Sequence, residues 1–271
     1  MNSPDDNLAQ GRRVNMSHVS VVLARPRFPE NIGSAARCAM NMGISSIIAV
    51  NPEDPDEDRM LKMATHKAAH LIRDMPVYDR LEDALEPFGY VVGTTARIGG
   101  VRWPLDSPRE IAARLVGLSQ TNRIALLFGS EDKGLTNDEL RFCHALVNIP
   151  TADFSSLNLA QAVMVLSYEL FTFRSMEPSP TGTRLASRKE LEEMYDHLSE
   201  ALIRIGFINP QNPAYWMMNV RRFFSRVQLL PREVKLVRGV CRQLNWYADQ
   251  ALKNKQAGGD YRQGGESDGS D

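Results

Sequence analysis

The sequence of 271 residues lacks several features that would assign a protein to a class at once. Its 32 lysines and arginines nearly balance its 33 aspartates and glutamates, which leaves a net charge of −1. A globally basic nucleic-acid-binding protein is therefore excluded, and any such role must come from local patches. The three cysteines, Cys38, Cys143 and Cys241, are far apart and odd in number. They predict a reducing compartment and no zinc site.

Signals for membrane insertion or export are also missing. No apolar run reaches the roughly 18 residues of a membrane span, so we expect no membrane association. The first residues, M-N-S-P-D-D-N, lack the basic and apolar regions of a signal peptide. The sequence therefore predicts a cytoplasmic protein. His66 and His70 have the spacing of a metal-binding pair, but no third ligand stands nearby, so we expect no metal.

The common catalytic motifs are absent as well. The sequence contains no G-x-S-x-G and no H-E-x-x-H, which disfavours a serine hydrolase and a zinc protease. The glycine-rich segment at residues 129–134, G-S-E-D-K-G, is not a P-loop because Leu135 and Thr136 follow its second glycine. A nucleotide-hydrolysing enzyme is therefore disfavoured.

What the sequence does contain is an alternation of short apolar strands with helices, up to about residue 174. Continuous apolar strands predict a parallel sheet covered on both faces, and so an α/β fold. The strands are predicted at residues 18–24, 46–50, 90–93, 123–128 and 145–150. Sites in such sheets lie at the carboxyl ends of strands. Unusual loops follow three of these strands, at residues 94–97, 129–135 and 150–158.

Composition divides the remainder of the chain. Residues 1–17 are predicted to be a flexible N-terminus, and residues 175–187 a linker. Residues 188–253 are predicted to form a small helical domain, followed by a disordered tail at 254–271. The last two predicted helices carry an excess of basic residues, at positions 221, 222, 226, 232, 235, 238 and 242. Either a phosphate-binding face or an ordinary solvated face explains them.

Three segments could form a ligand site. Ser155, Ser156 and Asn158 open a helix that is apolar on nearly every side. The free backbone amides there would suit a ligand, but Ser155 or Ser156 could equally be a simple N-cap. In E-N-I-G-S-A-A-R-C, residues 30–38, Asn31 could cap a helix from Ile32 to Met42.

Asn31, Ser34 and Arg37 would lie roughly on one side of that helix and could face an RNA ribose or phosphate. A capped helix with a surface arginine explains them equally. Gly33 leaves room for another chain or a ligand. At the end of its strand, Gly129 would let the backbone approach a flat ligand, and Glu131 would point into the same opening. The alternative is a glycine turn beside a solvent-exposed glutamate.

Taken together, these motifs resemble a known family. N-x-G-x-x-x-R (residues 31–37), V-V-G-T-T-A-R (91–97), F-G-S-E-D-K-G-L (128–135) and S-S-L-N-L-A-Q-A-V (155–163) occur in this order. The set resembles the SPOUT superfamily of RNA 2′-O-ribose methyltransferases, in its SpoU/TrmH family, and the TrmJ group within it.

The resemblance implies a parallel α/β sheet with a trefoil knot, an appended helical C-terminal domain, and a homodimer formed through the knotted domain. It also implies the cofactor S-adenosyl-L-methionine. The cofactor-binding residues that it implies are Thr94, Thr95, Ala96, Gly129, Ile149, Ser156, Leu157 and Asn158.

The activity implied is 2′-O-methylation of a tRNA cytidine or uridine at anticodon-loop position 32. The implied catalytic residues are Arg37 and Asn31, with Glu131 and Ser156 as supporting groups. Because arginine stays protonated, we expect Arg37 to stabilise a developing alkoxide or to grip the adjacent phosphate. Methylation of ribosomal RNA and a non-catalytic RNA-binding module of the same fold are the alternatives.

Overall fold

The computed structural model describes residues 12–96, 104–152, 157–176, 183–225 and 227–260. The chain divides after Lys189 into two compact units. Each unit is described separately below.

The first unit is built on a parallel sheet, as predicted. Its described strands are Val19–Ala24 (β1), Ile47–Val50 (β2), Val77–Tyr78 (β3), Tyr90–Thr94 (β4), Leu105–Asp106 (β5), Ile124–Phe128 (β6) and Ala145–Val147 (β7). Their order across the sheet is β3-β2-β1-β6-β4-β7-β5, and every pairing is parallel. The two-residue strands β3 and β5 were not predicted, because they carry no pattern of their own and form by pairing at the sheet edges.

Helices cover both faces of this sheet. They are Pro29–Asn41 (α1), Glu57–Arg73 (α2), Leu81–Leu85 (α3), Pro108–Leu118 (α4), Asn137–Leu140 (α5) and Leu159–Thr172 (α6). Every residue of β1 and β6 is buried, on both sides of the pleat. The prediction that the sheet is covered on both faces is therefore confirmed.

Helix α1 begins three residues earlier than predicted. Pro29 occupies its first turn, where the fixed φ of proline suits a helix start, and Phe28 takes the N-cap position without a side-chain cap. The prediction that Asn31 caps this helix is wrong, because Asn31 lies inside the first turn. Its side chain is free for other partners.

Helix α2 packs closely against α1. Thr65 interrupts α2 with a non-helical backbone (φ 62°, ψ 169°), which divides the element into two helical halves. A Cβ at Gly33 would collide with the carbonyl group of Met60. The space left by Gly33 is therefore used by α2, and not by another chain or a ligand as predicted.

The described parts of two segments predicted to be loose, residues 12–17 and 183–187, are held by the first unit. Val14 is buried, and the backbone N–H of Asn15 donates to Ser119 Oγ at 2.9 Å. Leu185 is 6% exposed, and its N–H donates to Asn122 Oδ1 at 2.7 Å. Composition predicted loops in both places, but apolar side chains among the polar residues anchor them.

The second unit contains three described helices, Arg188–Arg204 (α7, which begins in the first unit), Pro213–Ser225 (α8) and Pro231–Asp260 (α9). Helix α9 extends beyond residue 253, where the sequence predicts disorder. Residues 251–257, A-L-K-N-K-Q-A, are mostly good helix formers, which explains the extension. In the part of the chain that the structure describes, no helix has both the length and the apolarity needed to cross a bilayer.

Candidate active site

The loops after β4, β6 and β7 meet because these strands are neighbours in the order β6-β4-β7. They enclose a cleft of about 260 Å³, near the lower end of the size range for small-molecule sites. Six of the residues predicted for the cofactor line this cleft: Thr94, Thr95, Ala96, Gly129, Ile149 and Leu157. The cleft lining also includes apolar residues that were not predicted, namely Phe128, Leu135, Val147, Leu159 and Ala162.

The loop after β4 is fixed to its neighbours by hydrogen bonds. Thr94 Oγ1 donates to the carbonyl oxygen of Leu127 at 3.2 Å. The N–H of Thr95 donates to the carbonyl oxygen of Val147 at 2.9 Å. Asn148 Nδ2 donates to the carbonyl oxygen of Thr95 at 2.9 Å. Asn148 was not predicted as a site residue. Its position, a polar residue directly after an apolar strand, is the sequence feature that could have identified it.

The loop after β6 folds back onto its own start. The N–H of Gly134 donates to the carbonyl oxygen of Ser130 at 2.8 Å, and Gly134 has φ +64°. A Cβ at Gly129 would collide with the backbone of Gly134 and Leu135. In the direction of a side chain, Gly129 therefore contacts this returning loop, and the residue also lines the cleft.

A chain of hydrogen bonds joins three predicted site residues that are far apart in sequence. Asn31 Nδ2 donates to Glu131 Oε1 at 2.7 Å, and Asn158 Nδ2 donates to Asn31 Oδ1 at 2.9 Å. The second oxygen of Glu131 accepts the N–H of Arg27 at 2.9 Å. Helix α1, the loop after β6 and the start of α6 are thereby held together beside the cleft.

Asn158 also caps helix α6. Its Oδ1 accepts the N–H of Ala160 at 2.8 Å, and its own N–H donates to Gln161 Oε1 at 3.0 Å, which forms a capping box. The alternative in which Ser155 or Ser156 is the N-cap is therefore wrong. Ser156 itself, predicted for both catalysis and cofactor binding, lies outside the described residues.

Arg37 lies apart from this network. It is exposed on α1, six residues beyond Asn31, and does not line the cleft. It forms no hydrogen bond or ion pair with any described residue. Burial raises the pKa of the neighbouring Cys38 thiol, and the positive charge of Arg37 opposes that rise. The structure therefore does not bring Arg37 together with the other predicted catalytic residues within one chain.

Sequence reasoning missed an ion pair that fixes the wall of the cleft. Arg25 donates from Nε to Glu139 Oε1 at 2.8 Å and from Nη2 to Oε2 at 2.7 Å. Nη2 also lies 3.2 Å from the carbonyl oxygen of Gly134. Burial acts to raise the pKa of Glu139, but the hydrogen bonds from Arg25 and Thr136 hold it below its usual value. Arg25 has φ 52°, a left-handed conformation at the end of β1.

A second arginine, Arg27, lies in the loop between β1 and α1. Arg27 donates from Nε to Glu53 Oε2 at 2.7 Å, and its Nη1 lies 3.5 Å from Asp132 Oδ2. The hydrogen bond with Glu53 raises the pKa of Arg27. The hydroxyl group of Ser130 donates to Asp132 and lowers the pKa of that carboxyl group. Arg27 therefore connects the loop after β1 to Glu53 and to Asp132, of which Asp132 lines the cleft.

Cys143 and His144 are adjacent but are not set up for nucleophilic catalysis. Cys143 is buried and His144 is partly buried, and burial raises the pKa of Cys143 to about 12 and lowers that of His144 to about 3. His144 Nδ1 accepts the N–H of Val91 at 3.0 Å, and its ring stacks on Tyr90. Both side chains are neutral near pH 7 and serve to pack the sheet. No group of three or more metal-binding side chains comes together among the described residues.

The basic residues of the last two helices fall into two classes. Arg221 binds Glu192 at 2.6 Å and lies over the ring of Tyr195, and Arg238 binds Glu193 at 2.7 Å. Four others form no ion pair with any described residue: Arg222, Arg232, Lys235 and Arg242. Arg226 lies outside the described residues.

Comparison with known families covers both units. The profile of the SpoU rRNA Methylase family matches residues 18–168. The profile of the tRNA methyltransferase TrmJ C-terminal domain matches residues 189–257. The matched ranges include every described element from β1 to α9 apart from the ends of α6 and α9 and the first residue of α7.

Curated relatives align over most of the chain. It is 38% identical over 240 residues to the tRNA (cytidine/uridine/adenosine-2′-O-)-methyltransferase TrmJ of Pseudomonas aeruginosa, covering 83% of this chain and 93% of that protein. It is 35% identical over 231 residues to the tRNA (cytidine/uridine-2′-O-)-methyltransferase TrmJ of Pectobacterium atrosepticum, covering 83% and 95%.

Solved structures agree with this similarity. TrmJ from Z. mobilis ZM4 superposes with a TM-score of 0.71 at 29% identity, covering 83% of this chain and 98% of that one. A putative methylase family protein from Neisseria gonorrhoeae gives a TM-score of 0.60 at 28% identity, covering 68% and 95%.

Proposed function

The chain belongs to the SpoU methylase family and carries the C-terminal domain of TrmJ proteins, and from this we propose that it is a tRNA 2′-O-ribose methyltransferase that uses S-adenosyl-L-methionine. The observation that carries the proposal is the cleft formed by the loops after β4, β6 and β7, lined by six residues expected to hold the cofactor. The substrate follows from the curated relatives, which are named for cytidine and uridine, and in one case adenosine. We expect the target at anticodon-loop position 32.

The cleft suits the cofactor in chemical terms. Ile149 and Leu157 offer apolar surfaces on which an adenine ring would pack, and the loops at 94–96 and 129–135 expose backbone groups beside them. Glu131, Asp132 and Lys133 give the same cleft charged groups for the polar end of the molecule. S-adenosylmethionine brings a methyl group already activated on a sulfonium sulfur, so the protein has mainly to position the ribose 2′-hydroxyl.

We assign Asn31 and Glu131 to that positioning, because they are hydrogen-bonded to each other at the side of the cleft. Asn158 holds Asn31 from the start of α6, and we retain Ser156 as a supporting group. Arg37 supplies a positive charge for the alkoxide that develops as the hydroxyl loses its proton.

We further propose that the unit is knotted and that two copies form a homodimer through it. Helix α6 supports this, because Val165, Tyr168 and Phe171 remain exposed on a helix that is otherwise strongly apolar. In such a dimer we expect Arg37 of one chain to approach the cleft of the other, because Arg37 is exposed and does not line the cleft of its own chain. Light scattering of the purified protein should give twice the chain mass, and a monomer would contradict the dimer. The widely spaced free cysteines are in keeping with a cytoplasmic enzyme.

Methyl transfer to tRNA transcripts tests the function directly. We expect one 2′-O-methyl group, mapped by resistance to alkaline cleavage, at a cytidine or uridine of the anticodon loop. Transfer to ribosomal RNA alone would identify the alternative substrate. RNA binding without transfer would indicate a non-catalytic module.

A further inference from the structure

Phe28 is an exposed aromatic residue at the side of the proposed site. Its side chain is 47% exposed, at the N-cap position of α1 and between Pro26 and Pro29. The N–H groups of Asn31 and Ile32 both donate to its carbonyl oxygen, at 3.0 and 3.4 Å. Two prolines and two hydrogen bonds therefore fix the backbone that carries the ring.

The ring is also supported from its own loop. The guanidinium carbon of Arg27 lies 5.5 Å from the ring centroid. Glu53 and Asp132 hold that guanidinium group in place, at 2.7 and 3.5 Å. The arrangement presents a rigid aromatic surface whose remaining area is open to solvent.

This surface belongs to the segment that builds the site. The N–H of Arg27 donates to Glu131, and Asn31 donates to the other oxygen of the same carboxylate. Both residues are within three positions of Phe28. A nucleotide whose ribose reaches Asn31 and Glu131 would therefore bring its base close to the Phe28 ring.

The bases named for the relatives favour recognition by stacking. Cytosine presents an amino donor where uracil presents a carbonyl acceptor, and adenine differs from both in size. A contact that reads base edges would separate these three bases. An aromatic face accepts them all, because every base has a π-face.

Resting on the proposed function, we propose that Phe28 stacks on the base of the nucleotide to be methylated. It is a binding residue for an unpaired base in single-stranded RNA, and it reads the face of the base without selecting its edge. Loss of such a stack corresponds to about a 5- to 150-fold loss of affinity.

The test compares Phe28→Ala, Phe28→Leu and Phe28→Trp in the full-length protein. The substrates are three anticodon stem-loops that carry cytidine, uridine or adenosine at the target position. We expect Phe28→Ala and Phe28→Leu to lower kcat/KM for RNA by about 5- to 150-fold, similarly for each base that the wild type accepts. Phe28→Trp should retain activity, and the affinity for S-adenosylmethionine should not change. Met40→Ala, which removes another exposed apolar side chain of α1, is the matched control and should behave as wild type.

Each other result would overturn the inference. Equal activity of Phe28→Ala and wild type shows that no stack exists, while the proposed function stands. A loss confined to one base shows edge recognition, and full activity in Phe28→Leu shows that apolar bulk suffices. A Phe28→Ala protein that becomes monomeric in sedimentation places the residue in a subunit interface. Absence of methyl transfer by the wild-type protein removes the proposed function, and the inference with it.

Discussion

The arginines beside the cleft of the first unit and those on helices α8 and α9 of the second differ in their partners. In the first unit, Arg25, Arg27, Arg59 and Arg114 each bind a carboxylate at 2.6–2.8 Å. On helices α8 and α9, Arg221 and Arg238 do the same, while Arg222, Arg232, Lys235 and Arg242 pair with no described residue.

The difference teaches that a count of positive charges does not identify a binding surface. Arginines bound to carboxylates hold loops and helices in place, and their charge is largely neutralised. A cation without an ionic partner is available to a phosphate. Arg37 in the first unit belongs to this second class, because it forms no ion pair with any described residue.

Replacing Arg37 by alanine should have the largest effect. If this unpaired cation stabilises developing charge, kcat should fall by about 10²- to 10³-fold, while the affinity for S-adenosylmethionine stays nearly unchanged. Methyl transfer and titration calorimetry measure the two quantities, and Arg37→Lys, which keeps a positive charge, should lose less. A parallel loss of cofactor affinity would remove the assignment.

Replacing Arg25 by alanine tests a paired arginine at the cleft. We expect the free energy of unfolding to fall by about 2 kcal/mol, because Glu139 is left half-buried without its charged donor. Arg25→Lys should recover only part of the lost stability, because lysine keeps the positive charge but cannot bind both carboxylate oxygens.

The effect of Arg25 should also depend on pH. The folded protein lowers the pKa of Glu139, so the contribution of the ion pair is complete above the usual pKa of about 4.3 and is lost as pH falls through the folded value. Urea unfolding at pH 7 and pH 3.5 should therefore show a smaller difference between wild type and Arg25→Ala at the lower pH. An unchanged difference would mean that the ionised pair is not its source.

Arg242→Ala and Arg221→Ala separate the two classes on the helical unit. Arg242→Ala should weaken tRNA binding by about threefold to tenfold and reduce the slope of log K against log salt by about 1, without changing the melting temperature. Arg221→Ala should lower the melting temperature and leave that slope unchanged. Equal salt slopes for the two variants would show that pairing does not distinguish these arginines.

Lys189→Ala should have the smallest effect. The Lys189–Glu86 ion pair spans 3.3 Å between side chains that are 58% and 47% exposed, so its loss should cost less than about 0.5 kcal/mol. The hydrogen bond from the backbone N–H of Lys189 to Glu86 remains in this variant. Thermal unfolding that reveals a loss above about 1 kcal/mol would show that exposed pairing also carries stability here.

Much of the sheet could be predicted because its strands are short, apolar and separated by clear breaks. The first residues of the helices were harder to predict from the sequence. Asn31 and the serines at 155 and 156 are all good cap residues, but Pro29 and Asn158 define the starts instead. Local preference could not decide between neighbouring candidates, because the choice depends on which side chain is needed elsewhere in the fold.

Some features of the candidate site could likewise be predicted from the sequence, and others could not. Strand-end loops could be predicted to converge, since the carboxyl ends of parallel strands share an edge. The bonds Asn31–Glu131 and Asn31–Asn158 join residues 100 and 127 positions apart, and Arg25–Glu139 joins residues 114 apart. No local pattern encodes such pairs. The close neighbours of Gly33 and Gly129 were likewise invisible until the chain was folded.

The segment at residues 183–188 determines where a fragment that contains only the α/β unit can end. Asn122 accepts the N–H of Leu185 and donates to the carbonyl oxygen of Thr183, while the N–H of Arg188 donates to Phe88. A fragment that stops at residue 174 would uncover the surface beneath Leu185 and Ala186 and remove the hydrogen bonds of Asn122 with Leu185 and Thr183. An excised methyltransferase unit should therefore extend through Lys189, and a protease that trims it further should yield a product with a lower melting temperature.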